Sequence, residues 1–132
     1  MNTVFLVIGA IFIFLAAVFH FYVFFLESVT WTNPRTWRIF GVASQEDAET
    51  IRPMAFNQGF YNLFLGLGAG IGLILLASVP AAGFALVFMG AGSMVLAALV
   101  LLLSSKTNRR SALIQGAPPL VGIVFILLAL AG

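Results

Sequence analysis

One histidine and one carboxylate stand where their chemistry is expensive. His20 and Glu27 lie within and at the end of the first apolar stretch of the chain. Taken out of water, a carboxyl group and an imidazole form a proton donor and acceptor. Amides and phenols recur at comparable places: Tyr22, Asn57, Gln58, Tyr61, Asn62 and Gln115. Such groups would orient the polar head of a bound molecule or stabilise charge that develops on it. A strongly polar side chain in a membrane span costs a few kcal/mol unless paired, so each is a functional candidate by default.

Spacing groups them further. His20, Phe24, Glu27 and Trp31 recur at the interval of one helix face. On a helix, His20 and Glu27 would be about 10 Å apart along the axis at ~1.5 Å per residue. They could not touch, but both could reach one ligand or one water chain. Gln58, Asn62 and Gly66 form one stripe, and Asn57 and Tyr61 the adjoining one, a band suited to lining a pocket. The spacing thus makes Glu27 and His20 the candidate catalytic pair, with Tyr22, Trp31, Asn57, Gln58, Tyr61, Asn62 and Gln115 the candidate ligand-binding residues. Structural roles compete with this. His20 could bond a backbone carbonyl, Glu27 could pair with Arg35 or Arg52, and the amides could join helices at ~0.6 to 2 kcal/mol per bond. Trp31 and Trp37 could be aromatic-belt anchors at the membrane surface.

Several chemistries are disfavoured. One histidine and one intramembrane carboxylate fall short of the three protein ligands that a catalytic zinc takes. There are no cysteines, which removes thiolate chemistry. No phosphate-cradling loop, nucleophile elbow or dinucleotide fingerprint occurs. No cofactor and no metal are expected. Nucleic acid needs a basic stripe, and none is present.

The elements that position these residues follow from composition. The chain has 132 residues, 62% hydrophobic and 8% charged. Soluble domains carry about 25% charged residues, and disorder needs low hydrophobicity, so both are excluded. Four apolar stretches, residues 3–26, 54–78, 82–103 and 112–131, each approach the ~20 residues that cross the hydrocarbon. The expected fold is a single all-α domain, an integral membrane four-helix bundle in the inner (cytoplasmic) membrane. No charged n-region precedes the first stretch, which argues for a retained helix rather than a signal peptide.

The six basic residues set the expected orientation. Arg35, Arg38 and Arg52 fall in the segment 27–53, and Lys106, Arg109 and Arg110 between the third and fourth stretches. The positive-inside rule makes both loops cytoplasmic and both termini external. His20, Glu27, Asn57 to Asn62 and Gln115 then share the cytoplasmic half. Within the segment 27–53, residues 35–40 are expected to form a short interfacial helix, with Trp37, Ile39 and Phe40 dipping into the headgroups. Ser44 and Asp47 resemble a capping box, so the second helix begins near Gln45, runs polar for two turns and enters the membrane past Pro53. Gly66 and Gly70, and Gly68 and Gly72, have the spacing that lets helix backbones approach. Together with Gly83, Gly90, Gly92, Ser93 and Ala97 they would build the bundle or a homodimer. Pro118-Pro119 removes backbone donors near Gln115, so irregular backbone is expected there.

Three segments carry a family resemblance: His20-Phe21-Tyr22-Val23-Phe24-Phe25-Leu26-Glu27 followed by Trp31; Asn57-Gln58-Gly59-Phe60-Tyr61-Asn62; and Gln115-Gly116-Ala117-Pro118. In this order they resemble a family of small bacterial four-helix membrane proteins known as a domain of unknown function (DUF1304). The resemblance covers essentially the whole chain and implies a four-helix membrane fold; Pro119 departs from the small residue more usual there. In architecture, and in using an embedded acid with His and Asn, the chain is also distantly similar to sterol-isomerase-like proteins, an analogy at the level of fold. The expected function is a pocket in the cytoplasmic leaflet that binds a small lipophilic molecule by its polar head. An acid-base, isomerase-like reaction at Glu27 and His20 is one use of such a pocket and plain binding the other, and the residues do not separate an enzyme from a binder. The alternatives are a small proton-coupled transporter with Glu27 as coupling carboxylate, and a structural or accessory subunit of a membrane complex.

Overall fold

A computed structural model describes all residues, Met1–Gly132. The chain is all-helical, in five α-helices and one π-helical turn. Helix α1 is Thr3–Phe24 and continues into the π-turn Phe25–Val29; α2 is Pro34–Ile39, α3 Gln45–Leu75, α4 Pro80–Ser104 and α5 Arg109–Ala131. Four segments are long and apolar enough to cross a membrane: Thr3–Val29, Gln45–Leu75, Pro80–Ser104 and Arg109–Ala131. At ~1.5 Å per residue α3 is about 46 Å long, more than the ~30 Å of hydrocarbon. Its polar first turns therefore extend beyond the apolar layer.

The helix boundaries have local causes. Asn33 caps α2, its Oδ1 accepting from the Arg35 amide at 2.9 Å, and Pro34 occupies the first helical position, where a missing N–H is harmless. Gly41 reverses the chain at φ 78°, a conformation that glycine adopts without steric cost. Ser44 then opens α3: its Oγ accepts from the Asp47 amide at 3.1 Å and donates to the Asp47 carboxylate at 2.7 Å. The second long helix thus starts at Gln45, as the capping pattern predicts, and stops at Leu75, short of residue 78. Pro118 and Pro119 do not break α5, which is assigned as one helix throughout. The helix continues through both prolines, which lack the N–H that would bond the preceding turn, and Pro119 is buried in the packing.

The chain divides into two compact units. The first, Met1–Phe19 with Leu65–Gly132, is a four-helix bundle. Its core joins Ile13, Ala16 and Ala17 of α1, Ala69 of α3, Val87, Ala91 and Met94 of α4, and Ile126 of α5. Small residues bring the backbones into contact. A Cβ on Gly90 would lie 2.9 Å from the Ala69 amide nitrogen, and one on Gly83 2.7 Å from that of Leu76. Gly72, Gly83 and Gly90 thus pack α3 against α4, whereas Gly68, Gly70 and Gly92 face open space.

The second unit, His20–Phe64, holds the end of α1, the π-turn, α2 and the first part of α3. Its core is Trp31, Trp37, Ala48 and Ala55, flanked by Phe40, Val42 and Ile51. The two tryptophans are 5% and 3% exposed. Trp31 Nε1 donates to the Ala48 carbonyl at 2.8 Å and Trp37 Nε1 to Gln45 Oε1 at 3.0 Å. Arg38 lies over the Trp37 ring, 5.1 Å from its centroid. These rings are not membrane-surface anchors, because the loop between α1 and α3 folds around them. A buried indole needs a partner for its N–H, and α3 supplies one to each. Of the three side chains expected in the headgroups, Ile39 alone is largely exposed.

Candidate functional site

The site belongs to the second unit. At Phe24 the α-helical ladder widens by one residue, and the Thr30 amide donates to the Phe25 carbonyl at 3.1 Å, the five-residue bond of a π-turn. Such turns frequently occur at functional sites. The turn carries Glu27, which is 8% exposed. It also ends the register assumed from the sequence: Trp31 lies beyond the helix, in the following turn, and not on an extension of the His20 face.

Glu27 meets α3 through Asn62. Asn62 Nδ2 donates to Glu27 Oε2 at 2.8 Å and to its own helix's Gln58 carbonyl at 3.2 Å. Both hydrogens of the amide are thereby used, one to fix the side chain to α3 and one to hold the carboxyl. The neighbouring Ser28 Oγ donates to the Phe56 carbonyl at 2.9 Å. This approach requires Gly59. A Cβ there would lie 3.1 Å from both Glu27 Cβ and the Ser28 amide nitrogen, and would collide with Ser28 Oγ. Phe24 closes the contact above, its ring edge-on to Phe60 at 5.2 Å and 75°.

A small cleft of about 30 Å³ opens beside the carboxyl, lined by Glu27, Ser28, Val29, Trp31, Thr32, Arg52 and Phe56. That is room for one or two water-sized groups. Glu27 Oε1 makes no hydrogen bond to the protein, yet no buried side-chain oxygen or nitrogen lacks a partner. The free oxygen is therefore one that solvent-sized groups can reach. The cleft walls carry one potential negative charge, one positive charge and two hydroxyls.

The remaining expected residues divide clearly. His20 is buried, at 3% exposed. Asn62 turns inward to Glu27. Tyr22 and Tyr61 are 52% and 56% exposed, and Asn57 and Gln58 are also exposed. These four therefore do not line a pocket with Asn62: only one position of the polar band on α3 faces the carboxyl. Trp31 lines the cleft, with its indole nitrogen committed to Ala48. Gln115 is half-buried on α5 in the first unit. Glu27 takes Asn62 as its hydrogen-bond partner rather than an ion pair with Arg35 or Arg52, although Arg52 shares its cleft. The sequence reading missed Ser28, Thr32 and Arg52 as cleft residues. Ser and Thr near a helix end carry no signal of their own, and for Arg52 the sequence offers a topology marker and a possible ion-pair partner of Glu27, not a cleft wall. No group of three or more His, Asp or Glu residues could hold a metal.

The profile of the family described as Protein of unknown function (DUF1304) matches residues 14–127. This is most of the chain, and the protein belongs to that family. No curated protein and no solved structure matches it.

Proposed function

We propose that this member of the DUF1304 family, a multi-pass membrane protein, binds the polar end of a small lipophilic molecule at Glu27 and uses that carboxyl as a proton donor or acceptor. The observation that carries the reading is the state of Glu27. It is a buried carboxyl in the last turn of a membrane-length helix, held on one oxygen by Asn62 and open on the other to a cleft. A carboxylate in such a position costs several kcal/mol unless compensated. The cleft is too small for a whole lipophile, so the head enters it and the apolar remainder lies on the exposed surface of Val29 and Phe56. His20 is buried on the same helix but does not line the cleft, so Glu27 is the titratable group on which the reading rests.

The proposed site would lie in the cytoplasmic leaflet, the orientation that the positive-inside rule favours for the six basic residues, and the proposed membrane is the inner one. A homodimer would use the open positions Gly68, Gly70 and Gly92, because Gly72, Gly83 and Gly90 are occupied within the chain. The test is native mass spectrometry of the protein released from its own membranes. A co-purifying lipophile is expected in the wild type and absent in Glu27→Gln and His20→Ala, both still helical by circular dichroism. Identical retention of the lipophile in both variants overturns the reading.

A further inference from the structure

We infer that the group this cleft accepts is a single uncharged hydroxyl or carbonyl, so that the ligand is a lipophilic alcohol or ketone and not a fatty acid, an amine or a phospholipid. The inference rests on the head-group reading above and narrows it to a class of molecule.

Size is the first argument. About 30 Å³ admits one or two water-sized groups, given that one water needs at least ~10–15 Å³. A hydroxyl or a carbonyl oxygen fits such a space. Charge is the second. Glu27 and Arg52 stand on the same cleft, so its walls offer one carboxyl and one guanidinium. An anionic head would gain Arg52 but face Glu27; a cationic head would gain Glu27 but face Arg52. Each ion therefore meets one like charge in the cleft, and neither leaves the site neutral. An uncharged head does.

Hydrogen bonding is the third argument. Asn62 occupies Glu27 Oε2 and leaves Oε1 open. Arg52 brings donors only, and Thr32 a hydroxyl. A hydroxyl on the ligand can donate to Oε1 while accepting from Arg52 or Thr32, which satisfies both sides of the cleft at once. A carbonyl accepts from Arg52 or Thr32. Val29 and Phe56, both more than half exposed, provide the apolar exit for the rest of the molecule.

The test uses the full chain in phosphatidylcholine nanodiscs and three probes of one chain length: 1-hexadecanol, hexadecanoate and hexadecylamine. Saturable binding is measured above that of empty nanodiscs. The alcohol is expected to bind at least ~10-fold more tightly than either ion, a difference of about 1.4 kcal/mol. Glu27→Gln leaves Arg52 unbalanced and should shift preference toward the acid. Arg52→Gln, at an exposed position where folding is not at risk, should shift it toward the amine. Preference of the wild type for either ion, or an unchanged ranking in both variants, overturns the inference while leaving a lipid-head site intact. Failure of all three probes to bind saturably overturns the head-group reading itself, and this inference with it.

Discussion

Asn62 and Glu27, on different helices, meet at 2.8 Å through a single hydrogen bond from amide to carboxyl. Around this contact the π-turn, Gly59 and the small cleft are arranged. The bond leaves half of the carboxyl unoccupied, which separates a potential site from a finished structural contact.

Removing the amide should expose the energetic value of that bond. Asn62→Ala strips Glu27 of its partner, and a polar bond between membrane helices contributes about 0.6 to 2 kcal/mol. Thermal unfolding in detergent should show a loss of that order in the wild-type background. In Glu27→Gln the same substitution should cost less, and the double-mutant cycle measures the coupling. A coupling of zero would mean the two side chains act independently.

Close approach at Gly59 predicts a sharp contrast along one helix. Gly59→Ala forces Ser28 and the π-turn away from α3, and overpacking of this kind costs about 1 to 3 kcal/mol. Gly68→Ala, on the same helix, meets nothing within 4 Å and should leave the melting temperature unchanged or raise it, since alanine favours helix by up to ~1 kcal/mol. Equal loss in the two variants would contradict the packing described.

Burial of the tryptophans is open to a direct optical test. With Trp31 and Trp37 both enclosed, their fluorescence should resist quenching by aqueous iodide in nanodiscs and become accessible in denaturant. Trp31→Phe keeps an aromatic ring but loses the indole N–H that bonds Ala48 and part of the buried volume, and should destabilise the fold by at least about 1 kcal/mol. Strong iodide quenching of the native protein would contradict the loop packing.

The absence of cysteines makes topology directly measurable. Single cysteines at Ala43 and Thr107 should label from one side of the membrane with an impermeant maleimide, and a cysteine at Ala81 from the other. With the positive-inside rule, the first pair should be cytoplasmic. Labelling of Ala43→Cys and Thr107→Cys from opposite sides would remove the orientation proposed for the site.

Much of this protein was readable from single residues. Four apolar runs specified four long helices because a membrane-length helix is a local property: each residue needs only to be apolar, and the backbone bonds within its own segment. The starts of α2 and α3 were equally local, written in Asn33-Pro34 and in Ser44 with Asp47. The expense of a carboxyl in an apolar stretch pointed to Glu27 without any structure.

What the sequence left undecided depended on which way side chains turn. Of the polar band on α3, Asn62 faces the carboxyl while Asn57, Gln58 and Tyr61 are exposed. Counting residues could not choose among them, because the choice depends on where the π-turn lies against the helix. That turn adds a residue to the end of α1, shifts the register beyond Phe24 and carries the chain on to Trp31. It makes room for itself only against Gly59, and so joins two segments far apart in the chain. The helices are local and were legible; the pairing of Glu27 with Asn62, the burial of both tryptophans and the cleft beside Arg52 came from contacts between helices, which only the tertiary structure decides.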